Sequence, residues 1–248
     1  MAVHALRDHR LNGEADISMI ASLIADDARA AMLLALQAQG QALSMSALAA
    51  HARIGLPAAS AHLARLAGGG LVRCERSGRN RMYQLSGPHV AEVLEALASL
   101  APLRPTRTLD ETSRLAALRA ARTCYDHLAG RFGAGLFDAL VQHGALVDLQ
   151  LRELPARRVR SGLGPVALGP NAAEVFRRVG VELSERVDAR ACLDWTESRP
   201  HLSGELGANV CTEMLERGWV LHRPNTRALR VSETGRAALS ELLDLTVA

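Results

Sequence analysis

Apolar residues recur along the first hundred positions in two different rhythms. From Ala15 onward they fall at Ile17, Ile20, Leu23 and Ile24, three and four apart, which predicts an amphipathic helix. Asp26 and Asp27 interrupt it and offer an N-cap for a second helix, with Ala31, Leu34 and Ala35 facing inward and Gly40 at its end. Ser44 or Ser46 opens a short third helix carrying Leu48 and Ala49. After the Ile54-Gly55 turn a fourth helix begins, with Pro57 in its first turn, where a missing N–H costs nothing, and Leu63 and Leu66 as its stripe. Gly68 to Gly70 stop it. The rhythm then changes: Leu71 to Arg76 and Arg81 to Leu85 read as strands around a Ser77-Gly78-Arg79-Asn80 turn. Gly87-Pro88 opens a further helix with Val90, Val93, Leu94, Leu97 and Leu100 at helical spacing. A short helix, a turn, a helix and an arginine-tipped hairpin make a helix-turn-helix followed by a wing.

Four linked stretches carry a family resemblance: Leu23-Ile24-Ala25-Asp26-Asp27-Ala28-Arg29, Ser60-Ala61-His62-Leu63-Ala64-Arg65-Leu66, Gly70-Leu71-Val72 and Gly78-Arg79-Asn80-Arg81-Met82-Tyr83-Gln84-Leu85. Together they resemble the ArsR-type winged-helix repressors over residues 15–100. The resemblance implies a homodimer joined through the first and last helices of this segment, a palindromic double-stranded DNA operator, and release when an effector binds. The helix from Leu56 to Ala67 would enter a major groove, with Ser60, His62 and Arg65 as its polar residues. Arg76, Arg79 and Arg81 would reach phosphate or the minor groove. The helix start, Gly55-Leu56-Pro57-Ala58-Ala59, departs from the family's usual Ser/Thr-rich start, so readout would lean on thymine methyls and groove shape. The family's usual metal positions lack their ligands: Ser46–Arg53 holds no cysteine pair, and the helix from His89 offers His89 and Glu92 without a second pair.

Residues 1–13 read as a flexible tail and 101–113, with two prolines, as a linker, giving domains at 14–100 and 114–248. A long helix is expected after the linker, packing through Leu115, Leu118, Ala121, Leu128 and Phe132. The second half repeats itself. His127-Leu128-Ala129-Gly130 and Gly133-Ala134 match His201-Leu202-Ser203-Gly204 and Gly207-Ala208 at an offset of 74, kept to Gly144/Gly218 and Leu146/Val220. Leu168 and Val231 then match at 63, so the second hairpin is 11 residues shorter. The copies span about 124–183 and 198–246, and each reads helix, strand, hairpin, strand, helix. The expected fold is therefore mainly α with small β-hairpins (α+β): an N-terminal winged helix plus a C-terminal pair of degenerate winged-helix-like repeats about a pseudo-twofold axis. The arginines between the hairpin strands are Arg157, Arg158 and Arg160 in one copy and Arg223, Arg227 and Arg230 in the other. Neither copy shows a basic recognition helix, which points to a sensory or oligomerisation role.

Candidate effector residues cluster at equivalent ends of the repeats: Cys124, Tyr125 and His127 in one, Cys192, Trp195 and His201 in the other. Cys124 and His127 are three apart and are expected on one helix face. As metal ligands, Cys124, His127, Cys192 and His201 would suit zinc, copper(I) or a thiophilic arsenic-like ion. The same residues suit plain packing and backbone hydrogen bonding, or a Cys124–Cys192 redox switch. An organic effector would instead meet Tyr125, Trp195 and Trp219. No cofactor is certain from the sequence.

Composition narrows the classes. Apolar residues make up 48% and charged residues 22%, enough to build a core. The four cysteines are scattered, with no CxxC and no disulfide framework. Met1 to Leu11 has no signal-peptide core and no run reaches membrane-span length, so a cytoplasmic protein with reduced thiols and no membrane partner is expected. All 29 basic residues are arginine, and the net charge is +3. Residues 73–81 hold Arg73, Arg76, Arg79 and Arg81 against Glu75, so the wing carries the whole excess. Of the seven aromatic residues only Tyr83 precedes residue 124. This favours a DNA-binding transcriptional regulator over an enzyme. The competing reading is a methyltransferase-like, small-molecule-modifying enzyme with a winged-helix dimerisation domain, for which Gly162–Gly169 is glycine-rich but lacks a βαβ rhythm.

Overall fold

The two rhythms of the first hundred residues become helices and a three-stranded antiparallel sheet. The computed structural model describes residues 15–78, 80–102, 108–147, 164–224 and 226–247. The chain divides into two units after Ala91, inside the helix that follows the wing.

In the first unit, Asp16 caps α1 (Ile17–Ile24), and Asp26 caps α2 (Asp27–Gln39) by accepting from the Arg29 N–H at 3.0 Å. Gly40 ends α2 in the left-handed region (φ 62°). The buried Arg29 donates to the carbonyls of Leu23 (2.6 Å) and Ser22 (2.8 Å), tying α2 to the last turn of α1. A two-residue strand, β1 (Leu43–Ser44), precedes α3 (Met45–Ala52), capped by Ser44. Then come α4 (Leu56–Gly68), β2 (Val72–Ser77), β3 (Asn80–Leu85) and α5 (Pro88–Leu100), with strand order β1-β3-β2. Met32, Leu33, Leu36, Leu48, Leu63, Leu66 and Tyr83 fill the core. Leu34 is not among them: it is 51% exposed, because α2 turns Arg29, Met32, Leu33, Leu36 and Gln37 inward at three-and-four spacing and Leu34 lies opposite. The winged helix expected from the sequence is present.

The second unit departs from expectation at its entrance. Its first helix, α6 (Leu109–Ala120), starts inside the stretch read as a linker, on a Thr108–Glu111 capping box. It then stops, and the helix expected to run through Ala121 and Leu128 is replaced by a hairpin, β4 (Arg122–Cys124) and β5 (His127–Ala129). The cause is long-range: Thr123 N–H donates to the Arg227 carbonyl (3.0 Å) and Leu229 N–H to the Ala121 carbonyl (2.8 Å). Helix periodicity cannot register a partner a hundred residues away.

Next come α7 (Gly130–Gln142), β6 (Gly164–Pro165), α8 (Ala172–Arg178), β7 (Arg190–Leu193), β8 (Pro200–Ser203), α9 (Gly204–Glu216), β9 (Val220–His222), β10 (Leu229–Val231) and α10 (Glu233–Leu243). The repeat holds in three dimensions. Helices α7 and α9 correspond residue for residue at the offset of 74, and the Leu146–Leu168 bridge matches the Val220–Val231 pairing. Each copy also begins with a hairpin, β4–β5 or β7–β8. The copies embrace each other: α7 packs on β8, and α9 on β5. Two glycines permit this. A Cβ on Gly133 would stand 2.5 Å from the Leu128 carbonyl oxygen and 3.6 Å from the His201 Cβ. One on Gly207 would stand 2.7 Å from the Leu202 carbonyl oxygen and 3.2 Å from the His127 Cβ. Phe132, Leu136, Phe176, Leu206, Met214 and Val220 fill the core around them. Arg157, Arg158 and Arg160 lie outside the described residues.

Gly133→Ala and Gly207→Ala should each lower the stability of the second unit by about 1–3 kcal/mol, because a methyl group is forced against a backbone carbonyl. Gly135→Ala, whose methyl would meet only Leu245 Cδ1 at 3.4 Å, is the neutral control. Urea denaturation compares the three.

Candidate nucleic-acid interface and metal centre

On the recognition-helix candidate α4, Ser60 and Arg65 are exposed beside Pro57, Ala58 and Ala61. His62 is partly buried and turned toward its own protein, with Nδ1 3.4 Å from Arg29 Nη1 and 3.6 Å from Asp26 Oδ1. It therefore braces α4 against α2 as well as bordering the exposed face. In the wing, Arg76 and Arg81 are exposed and directly opposed across β2 and β3. Like charges in that position repel unless an anion lies between them, and a phosphate diester meets that need. Nearer the base of the wing, Glu75 takes up Arg73 (3.4 Å) and Gln84 (3.0 Å). Arg79 lies outside the described residues.

The second site assembles where the two repeats meet. Cys124 is the cross-strand partner of His127, and Cys192 that of His201. All four side chains are buried, and their ligand atoms lie within 4.8 Å of one another. The rings of His127 and His201 are stacked with centroids 5.1 Å apart. The expected group of four is thus assembled, on two hairpins and not on the helix face assigned to Cys124 and His127. A two-residue turn, Tyr125-Asp126, with Tyr125 at φ +64°, makes residues i and i+3 strand partners.

Each imidazole has a carboxylate on its Nδ1 side. Asp126 Oδ1 is 2.9 Å from His127 Nδ1, and Asp194 Oδ2 is 3.8 Å from His201 Nδ1. Nε2 of both rings, and Nδ1 of His201, are buried without a hydrogen-bond partner. Such atoms cost about 1–3 kcal/mol each unless something binds them. A carboxylate behind the imidazole with Nε2 free is the arrangement that orients a histidine toward a metal, so the residues present fit an ion. Hydrogen bonding to Cys192 and burial push the Cys124 thiol well above its usual range. Burial works against the His127 cation, but Cys124 and Asp126 outweigh it and hold the pKa up to about 9. Burial, with His127 alongside, drives His201 well down, so it is a neutral base.

Behind the cluster lies a buried ion-pair group that the sequence reading missed. Arg122, fully buried, donates to Asp194 at 3.0 Å and faces Glu95 at 3.8 Å; Arg227 pairs with the same Glu95. Arg227 therefore points inward and is not an external hairpin cation. Burial opposes the Asp194 charge, yet Arg122, His201, Thr196 and the Gly130 N–H hold its pKa well below the usual carboxylate range. One signal for these acids was available: Cys124-Tyr125-Asp126 and Cys192-Leu193-Asp194 share a Cys-x-Asp spacing. The aromatic candidates are otherwise engaged. Trp195 lies under the Arg122 guanidinium at 5.4 Å, Trp219 is buried in the core with Arg217 over it, and Tyr125 occupies the hairpin turn.

Comparison with known proteins gives three kinds of likeness. Residues 24–75 match the helix-turn-helix domain family. The chain is 33% identical over 237 residues, covering 94% of this chain and 99% of the relative, to the uncharacterized HTH-type transcriptional regulator YdfF of Bacillus subtilis (strain 168). Among solved structures, it is similar to the homodimeric winged helix-turn-helix DNA-binding domain Mb0332 of Mycobacterium bovis, a possible ArsR-family transcriptional regulator (24% identity, 40% of this chain and 98% of that one, TM-score 0.33). It is also similar to the cadmium metal-sensor CMTR of Mycobacterium tuberculosis (27% identity, 38% and 99%, TM-score 0.28).

Arg122→Met leaves Asp194 buried without its arginine partner, while Glu95 keeps Arg227, and should cost about 3–5 kcal/mol in denaturant unfolding. Thiol accessibility should also be uneven. At pH 8 the exposed Cys74 alkylates first, while Cys211, buried and with its pKa pushed up to about 12, is about 10⁻⁴ ionised and reacts last alongside Cys124. Timed alkylation with peptide mass analysis reads the order; fast labelling of Cys211 in folded protein would contradict the packing.

Proposed function

Because this chain belongs to the HTH-type transcriptional regulators, we propose that it is a DNA-binding repressor that holds a palindromic operator as a homodimer and releases it when a metal ion occupies the second unit. The observation that carries the effector half is the Cys124, His127, Cys192 and His201 cluster: four soft donors, buried and within 4.8 Å of one another. These four residues would hold the ion, with Asp126 and Asp194 orienting the imidazoles. A bound transition-metal or thiophilic ion would supply a bond joining hairpin β4–β5 to hairpin β7–β8, changing which conformations of the regulator are populated.

The DNA half rests on α4 and the wing. Ser60 and Arg65 border the groove-facing side, His62 braces it, and Arg76 with Arg81 grips phosphate. Arg79, at the turn between them in sequence, is assigned the same role. An operator-bound regulator works where the DNA is, in the cytoplasm. None of the described helices is long and apolar enough to cross a membrane. The methyltransferase-like alternative gains no support from the second unit. Its described strands pair antiparallel, and Gly164-Pro165 is an edge strand on β7, where a nucleotide-binding domain needs a strand-to-helix turn.

Replacing Arg81 with Ala should weaken operator binding at every sequence tested and reduce the salt slope of log K by about 0.9, one phosphate contact. Fluorescence anisotropy across a salt series measures both, and an unchanged slope removes the wing from the interface. In the same assay, metal added to the wild-type complex should release DNA, whereas Cys192→Ser should stay bound.

A further inference from the structure

The geometry points to a single divalent ion of the zinc class as the occupant of the Cys124–His127–Cys192–His201 cluster, held with all four positions filled by protein. This rests on the reading of that cluster as a metal site, and selects among the ions that reading leaves open.

Donor count comes first. The cluster offers two sulfurs and two imidazole nitrogens. A trivalent arsenic- or antimony-like ion seeking three thiolates finds only two, since Cys211 belongs to the hydrophobic core and not to the cluster. A linear two-thiolate copper(I) site would leave both buried Nε2 atoms unpartnered, which is the defect the site already has. A tetrahedral zinc-class ion, with bonds of about 2.3 Å to sulfur and about 2.0 Å to nitrogen, needs donors about 3.3–3.8 Å apart. Donors already within 4.8 Å need only a small contraction.

Charge decides in the same direction. Two thiolates and one divalent cation sum to zero, while copper(I) would leave a buried net negative charge. Of the described arginines beside the cluster, Arg122 and Arg227 are already matched by Asp194 and Glu95. Asp126, the other acid at the site, is half exposed to solvent.

Backbone packing limits the occupant's size. Helix α7 approaches His201 through Gly133, and α9 approaches His127 through Gly207, so helix backbone stands close to the Cβ of each histidine. Four donor atoms within 4.8 Å of one another leave room between them for an ion and not for an organic molecule.

The test uses full-length protein stripped with chelator, reduced and kept anaerobic, with cobalt(II) as probe. One equivalent should give intense visible bands of four-coordinate cobalt and near-ultraviolet sulfur-to-cobalt charge transfer, and one equivalent of zinc(II) should bleach both. Cys192→Ser should weaken the charge-transfer band. Should that variant fold poorly, Asp126→Asn, altering a half-exposed carboxylate behind His127, should lower zinc affinity about ten- to hundredfold. Weak six-coordinate cobalt bands overturn the four-coordinate, all-protein assignment, and copper(I) or antimony(III) binding at one equivalent while zinc does not compete overturns the divalent one; either leaves the metal reading standing. If cobalt, zinc, copper(I) and antimony(III) all fail to bind the reduced folded protein, the metal reading falls with it.

Discussion

An ion pair with no access to water organises the second unit. Arg122 and Asp194 are both fully buried and meet at 3.0 Å, and either charge alone in that position would cost several kcal/mol. Hairpin β4–β5 and the loop after β7 must therefore come together for the unit to fold. The pair's remaining valences fix its neighbours. Asp194 accepts from Gly130 N–H (2.6 Å) at the start of α7 and from the Thr196 and Glu197 N–H groups of its own loop (2.9 and 3.1 Å). Arg122 donates to the Leu118 carbonyl (3.3 Å) in the last turn of α6 and to Thr196 Oγ1 (3.1 Å). Cys124 lies two residues from one member of the pair and Cys192 two from the other, so closing the pair brings the thiols and imidazoles together.

The repeats are alike in scaffold and unlike in chemistry. Two residues separate Cys124 from His127, and eight separate Cys192 from His201. The longer connection is where Asp194, Thr196 and Glu197 form their hydrogen-bonded turn. The first copy thus contributes the buried cation and the second the anion, an asymmetry imposed on two helices that still superpose in sequence at a fixed offset.

Local order was legible in the sequence. The caps Asp26 and Ser44, the αL stop at Gly40, the wing strands and the offset of 74 all follow from short-range chemistry or from self-comparison, and the structure keeps them. The first hairpin was not legible, because its hydrogen bonds run to residues 227–229 and its neighbours favour helix. Cys124 and His127 are neighbours in either structure, because residues three apart adjoin on a helix and also face each other across a two-residue turn. Arg122 carried no local mark of burial. Its partners are 27, 72 and 74 positions away, and among so many arginines nothing in its own segment sets it apart.

A two-fold-like site is commonly made by two copies of a chain, and its assembly then depends on how much protein is present. Here both halves belong to one polypeptide. The hairpins meet at an effective concentration set by the connecting chain and by the Arg122–Asp194 contact, not by the number of molecules in the cell. Formation of the four-residue cluster is therefore first order in protein: it is complete in a lone chain at any dilution that keeps the unit folded. An occupant would therefore meet the complete donor set within each single chain, whether or not a second chain is bound.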